Sequence, residues 1–223
     1  MENKENRFIE LLTDLITHEF KTPISTISGF SELLSTNQGL SDEKKSEYLK
    51  LINEQSNYLA VITDCIVDIC RMEIANFKLN EEKVNLSEIV KKKIHKLNRL
   101  NNSEFINDKI NGKFEATIDY RKIISIIEII IINLKKYMDK DTQIEISEER
   151  KDEYYIINFK TMASTSGIDS FISKFDNEFK LSDLSHTNPA SIHWIKKIID
   201  LYKGDITLEK SENEVEIKIK LRV

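Results

Sequence analysis

Cysteine is scarce in this chain: there are two among 223 residues, Cys65 and Cys70. They stand five positions apart in a helical pattern and so point to different faces. The spacing predicts no disulfide and a reducing, cytoplasmic setting. Long apolar runs are missing too. The longest, Ile123 to Leu134, is interrupted by Ser125 and Glu128 and falls short of the roughly 20 residues a bilayer demands. The opening MENKENRFIE has no apolar signal core, and Met1 reads as a natural start. No single sign of charge dominates. The 33 basic and 38 acidic residues are interspersed and give a net charge of -5. That predicts no general attraction to nucleic acid or to a membrane surface. The one basic run, Lys91-Lys92-Lys93 with His95 and Lys96, reads as a solvated helix face. There is no internal repeat and no low-complexity segment. What remains, with 40% hydrophobic and 32% charged residues, is a globular chain long enough for one or two cored domains.

Apolar spacing supplies the organisation. Residues 6–36 predict one helix with a stripe of Leu12, Ile16, Phe20, Ile24 and Ile27, bent near Pro23. Thr36 to Gly39 predict a turn. Ser41 is placed to cap a second helix, with Asp42 and Glu43 in its first turn. That helix carries a heptad seam of Tyr48, Ile52, Gln55, Leu59, Ile62, Ile66 and Ile69. Two such helices joined by a short turn form an antiparallel hairpin. One hairpin cannot cover both of its stripes, so a homodimeric four-helix bundle is expected. Beyond residue 75 the composition changes to an α/β pattern. Helices are predicted over 87–99, 122–137 and 192–202, the last stopped by Gly204. Strands are predicted at 143–146, 154–159, 206–208 and 215–223. The last alternates Val215, Ile217, Ile219, Leu221 and Val223 on one face, as in a sheet covered by helices on one side.

The sharpest local signal is Thr17-His18-Glu19-Phe20-Lys21-Thr22-Pro23. On a helix, His18 lies about 200° from both Ile16 and Phe20, which predicts an exposed ring. A free imidazole has a pKa of about 6.5 and is a competent nucleophile near neutrality. Glu19 is placed to hold the other ring N–H or take its proton. Lys21 can offset phosphoryl charge, and Thr22 can position a water one turn on. His95, His186 and His193 have no metal-ligand spacing.

Residues 17–34, THEFKTPISTISGFSELL, closely resemble the H-box of the two-component sensor histidine kinases. The match includes the acid after the histidine, the basic-Thr-Pro triplet, and the Gly29-Phe30 and Glu32-Leu33-Leu34 tail. The end of the second helix resembles that family's entry into its catalytic domain. The resemblance implies an α+β chain in two parts: 1–75 as a dimerisation and phosphotransfer hairpin, and 76–223 as an ATPase-like α/β sandwich. It implies His18 as phosphoacceptor, with Glu19 and Thr22 in phosphotransfer and phosphatase roles.

The resemblance weakens where the family binds nucleotide. Of the two asparagines, four apart, that the family carries on its nucleotide-box helix, only Asn133 is present. Ile129 holds the other position. The resemblance gives Asn133 a Mg²⁺ contact and Lys136 a phosphate contact, both vestigial here. The next motif reads Ala163-Ser164-Thr165-Ser166-Gly167-Ile168, with alanine in place of the aspartate that accepts the adenine amino group. Phe171, Phe175 and Phe179 resemble the phenylalanine-rich segment that follows. The last glycine motif is replaced by Pro189-Ala190-Ser191-Ile192. Proline lacks an N–H for a phosphate, and serine adds a side chain where glycine gives close approach. The expectation is a histidine phosphotransferase that binds no cofactor of its own. It would relay phosphoryl between response-regulator receiver domains, with Mg²⁺ supplied by the receiver. The alternatives are a regulatory pseudokinase that only binds, and a divergent active kinase using Asn133 and Lys136.

Overall fold

A computed structural model describes residues 2–37, 39–101, 103–163, 168–169 and 190–223; within the first helix, the side chains ahead of Glu19 are described only at Ile9, Leu12, Thr13, Ile16 and Thr17. The described residues form two compact units. One takes 2–76 with 190–194, the other 77–169 with 195–223.

The first unit is the helical hairpin. α1 spans Glu2–Thr36 and α2 spans Asp42–Glu73. The turn between them is closed where the Gly39 N–H donates to Asn37 Oδ1 at 3.2 Å. Ser41 caps α2, its hydroxyl accepting from the Lys44 N–H, with Asp42 and Glu43 in the first turn facing the helix dipole. α1 runs through Pro23 without a break. Proline has no N–H, so the Glu19 carbonyl loses the donor that residue 23 would otherwise supply.

The buried stripe of α1 differs from the expected one. Ile16 and Ile24 are 45% and 51% exposed. The inner positions are instead Phe20, Pro23, Ile27, Phe30 and Leu34, steps of three, four, three and four. Steps of four alone drift around the helix, whereas alternating steps keep one seam toward an antiparallel neighbour. Residues equally far from the turn meet across it, as Phe30 and Tyr48 do with ring centroids 4.9 Å apart. The α2 seam tightens toward its C-terminal end, where Ile62, Cys65, Ile66, Asp68 and Ile69 are buried.

In the second unit, β1 (Glu82–Asn85) pairs antiparallel with β3 (Glu115–Ile118). The main sheet has five strands in the order β2-β4-β5-β7-β6. They are β2 (Ile106–Lys109), β4 (Ile144–Lys151), β5 (Tyr154–Met162), β6 (Asp205–Ser211) and β7 (Glu214–Arg222). β2 and β4 are parallel, and the other neighbours are antiparallel. β1, β2 and β3 were not legible in the sequence. Each has four residues, too few for a period-two signal. The helices are α3 (Leu86–Asn101), α4 (Tyr120–Tyr137) and α5 (Ala190–Leu201).

The core forms where strand alternation meets helix periodicity. Val215, Ile217, Ile219 and Leu221 of β7 are buried with Tyr155, Ile157 and Phe159 of β5 and Ile144 and Ile146 of β4. Val223, expected to continue the alternation, lies beyond the strand and is exposed. α4 contributes Ile123, Ile126, Ile127, Ile130, Ile131 and Leu134. Asp119, just before α4, uses its carboxylate to accept the Asn80 N–H at 2.9 Å, while its own N–H donates to the Tyr202 hydroxyl at 2.9 Å.

Two further expectations are corrected. Lys93 is not solvated: it pairs with Glu128 of α4 at 2.7 Å, with both side chains largely buried, because its place on α3 turns it toward the neighbouring helix. Gly204 does not hold the left-handed position after α5. Lys203 does, at φ 46°, and glycine follows because a Cβ there would stand 2.1 Å from the Lys220 carbonyl oxygen.

One buried polar pair ties the end of α2 to the start of α5 inside the first unit. The Trp194 indole N–H donates to Asp68 Oδ2 at 2.9 Å, and both residues are buried. A hydrogen bond to a charged group out of water contributes more than an exposed one. Trp194→Phe, which keeps an aromatic ring and loses the donor, is expected to cost about 1–3 kcal/mol. Far-UV circular dichroism in denaturant checks this; an unshifted midpoint would show that the bond contributes nothing.

Candidate functional site

The histidine region lies in the middle of α1, where helix formation fixes which side chains share a face. His18 is within the helix, and its side chain lies outside the described residues. Lys21 and Thr22 are exposed. Thr22 also receives a bond on its carbonyl, from the Thr26 hydroxyl at 3.0 Å. Glu19 is half-buried and turned toward α2, where the Tyr58 hydroxyl donates to its Oε2 at 3.0 Å. Burial first, and then the Glu19 charge, push the Tyr58 phenol above its ordinary value, so it stays a donor throughout the physiological range. Tyr58 was missed in the sequence because it stands beside the apolar seam of α2, not on it. Counting outward from the turn is the signal that would have paired it with Glu19.

The second candidate region is spread over α4 and the end of β5. Asn133 is half-buried, and its Nδ2 donates to the Ile129 carbonyl at 2.7 Å, one turn back. That leaves Oδ1 as the atom able to meet a cation. Lys136 is exposed on the last turn of α4. Ile129 is 1% exposed. Ala163 is completely buried, and its N–H donates to the Asn213 carbonyl at 2.7 Å. Ile168, Ser191 and Ile192 are also buried. Ser164, Thr165, Ser166, Gly167, Phe171, Phe175, Phe179 and Pro189 lie outside the described residues.

Ala163 has no acceptor for an exocyclic amine, and Ile129 has no ligand atom for a metal. Among the described residues, no group of three or more His, Cys, Asp or Glu side chains could hold a metal ion. Among them, too, no helix is long and apolar enough to cross a membrane.

Residues 9–75 match the model of the His Kinase A phosphoacceptor domain. Residues 9–75 form a histidine kinase A phosphoacceptor domain. The remainder has the fold of a histidine kinase catalytic domain. The histidine kinase AdeS of Acinetobacter baumannii superposes with a TM-score of 0.59 at 19% identity, over 92% of this chain and 97% of that one. The histidine kinase ThkA, solved in complex with the response regulator protein TrrA, superposes with a TM-score of 0.54 at 20% identity, over all of this chain and 66% of that one. Among curated relatives, sensor protein EvgS of Escherichia coli K12 is 24% identical over 209 residues, 87% of this chain. The chain spans 9% to 17% of the length of the first curated relatives it matches.

Ile129 packs in the buried apolar face of α4. Ile129→Asn would bury an amide among isoleucines and remove apolar contact. The expected cost is about 2 kcal/mol or more. Thermal unfolding of the variant checks it; an unchanged midpoint would mean that the pocket still accommodates a polar group.

Proposed function

We propose that the protein is a histidine phosphotransferase of a two-component phosphorelay. It accepts a phosphoryl group on His18 from a receiver aspartate and passes it to another receiver, without making phosphohistidine from ATP. The observation that carries this reading is the pair of fully buried apolar residues, Ile129 and Ala163, at the two positions where the family uses polar contacts to nucleotide and metal. Each stranded or missing polar contact in a binding site costs about 1–3 kcal/mol. A micromolar affinity amounts to about 8 kcal/mol, so a few such losses remove most of it.

In the transfer, a lone pair on one ring nitrogen of neutral His18 attacks phosphorus. The N–P bond forms as the bond to the aspartyl oxygen breaks, and the aspartate leaves as carboxylate. The proton on the other ring nitrogen stays there, and Glu19 accepts a hydrogen bond from it. Passing the group to a second receiver reverses each bond change. Lys21 offsets phosphoryl charge, Thr22 positions a water for hydrolysis, and Mg²⁺ arrives with the receiver. ThkA was solved with a response regulator, which supports a receiver as the class of partner.

In this reading, residues 1–75 are the dimerisation and phosphotransfer part, and residues 76–223 are scaffold and docking surface. Ile9, Ile16 and Ile24 of α1, with Leu49 and Val67 of α2, are exposed in the single chain. Covering these residues in a four-helix bundle supports a homodimer. A second reading, a divergent kinase, is favoured by one observation: Asn133 turns its Nδ2, not its Oδ1, to the Ile129 carbonyl.

Incubation with a phosphorylated receiver is expected to label the wild-type chain and leave His18→Ala unlabelled. Millimolar Mg-ATP carrying a labelled γ-phosphate is expected to label neither. Stoichiometric label from ATP on the wild type selects the kinase reading, and label on His18→Ala removes His18 as the acceptor. Ile24→Glu is expected to convert the dimer to a folded monomer in sedimentation; a persistent dimer would move the interface elsewhere.

A further inference from the structure

A carboxylate turned into a hairpin interior needs donors to replace water. Glu19 sits half-buried on the α2 side of α1, and its Oε2 accepts from the Tyr58 hydroxyl at 3.0 Å. This bond crosses between the helices and joins residues 39 positions apart. Its donor comes from a ring that is itself partly buried, so the hydroxyl is held in place. We infer that Tyr58 is a positioning residue for phosphotransfer: it holds one oxygen of the Glu19 carboxylate, the acid that the proposed function assigns to the His18 N–H. The inference rests on the reading of His18 as phosphoacceptor.

The chemistry requires such a device. A neutral imidazole attacks through the nitrogen that lacks a proton, and the other nitrogen keeps its N–H throughout the step. An acceptor fixed beside that N–H selects the reactive tautomer and stabilises the imidazolium character that develops as the N–P bond forms. A free glutamate, with three rotatable side-chain bonds, samples many positions. A bond from Tyr58 to Oε2 narrows that range, so part of the ordering is in place before the reaction. Pro23 adds to this requirement. It leaves the Glu19 carbonyl without its usual helical donor, so the local backbone is held less firmly than elsewhere in α1. Tyr58 restores a tie at the same residue from the opposite helix. The high phenol pKa keeps that tie intact at any pH where the relay works.

A double-mutant cycle tests the inference, using Tyr58→Phe, Glu19→Ala and the two together. Tyr58→Phe keeps the ring and removes only the hydroxyl. Each protein is labelled in two ways: by a phosphorylated receiver, and by phosphoramidate, a small donor that transfers its phosphoryl group to histidine and releases ammonia, with no receiver needed. Tyr58→Phe is expected to slow both labellings roughly ten-fold. It should leave receiver affinity unchanged and have no further effect once Glu19 is alanine. A purely structural role would slow the Glu19→Ala protein by the same factor again. Wild-type rates in Tyr58→Phe, or independent effects of the two substitutions, would overturn the inference. A wild-type chain that phosphoramidate labels and no receiver does would defeat the phosphorelay reading alone, with the cycle in phosphoramidate still deciding the role of Tyr58.

Discussion

Burial of α4 against the five-stranded sheet holds the second unit together. Six isoleucines of this helix are buried, with Leu134, opposite the alternating faces of β4, β5 and β7. Fully burying a side chain of this size stabilises by about 1.5–3 kcal/mol relative to leaving it in water. The unit therefore depends on an uninterrupted apolar face, and Ile129 belongs to it. In the proposed reading the core extends through a position that the kinase resemblance gives to a polar ligand group, so stability and nucleotide recognition would compete for the same side chain.

The first unit shows the opposite arrangement. Around residue 19 the hairpin admits a carboxylate and a tyrosine hydroxyl into its interior and pairs them at 3.0 Å. Apolar side chains of similar shape would pack there without needing partners. In the proposed reading, the polar pair at residue 19 serves the phosphoacceptor, while alanine and isoleucine stand at the two positions that the kinase resemblance gives to nucleotide and metal. That contrast is physical rather than statistical. The Glu19–Tyr58 pair carries the desolvation cost of its polar groups, and the side chains of Ile129 and Ala163 carry none.

The sequence made much of this legible, for identifiable reasons. α1 and α2 are long, so apolar periodicity and the Ser41 cap located them within a few residues. The alternation of β7 was plain because the strand is nine residues long and puts every second side chain, Val215 to Leu221, into the core. The inner stripe of α1 was misread: Ile16 and Ile24 are apolar yet exposed, whereas Pro23 is buried. Residue type alone cannot assign a face on a helix with two apolar stripes. Lys93 was misread for a related reason, since its partner Glu128 stands 35 positions away. Tyr58 and Asp68 were not legible, because the partners that give them meaning, Glu19 and Trp194, come from other helices. That Ile129 and Ala163 are apolar is plain in the sequence, but their complete burial required the fold.

Isothermal titration calorimetry with a non-hydrolysable Mg-ATP analogue bears most directly on the contrast between the two regions. No saturable heat is expected up to millimolar nucleotide. One-to-one binding with a micromolar dissociation constant would show that purine recognition survives without the lost contacts, and would contradict the phosphotransferase reading.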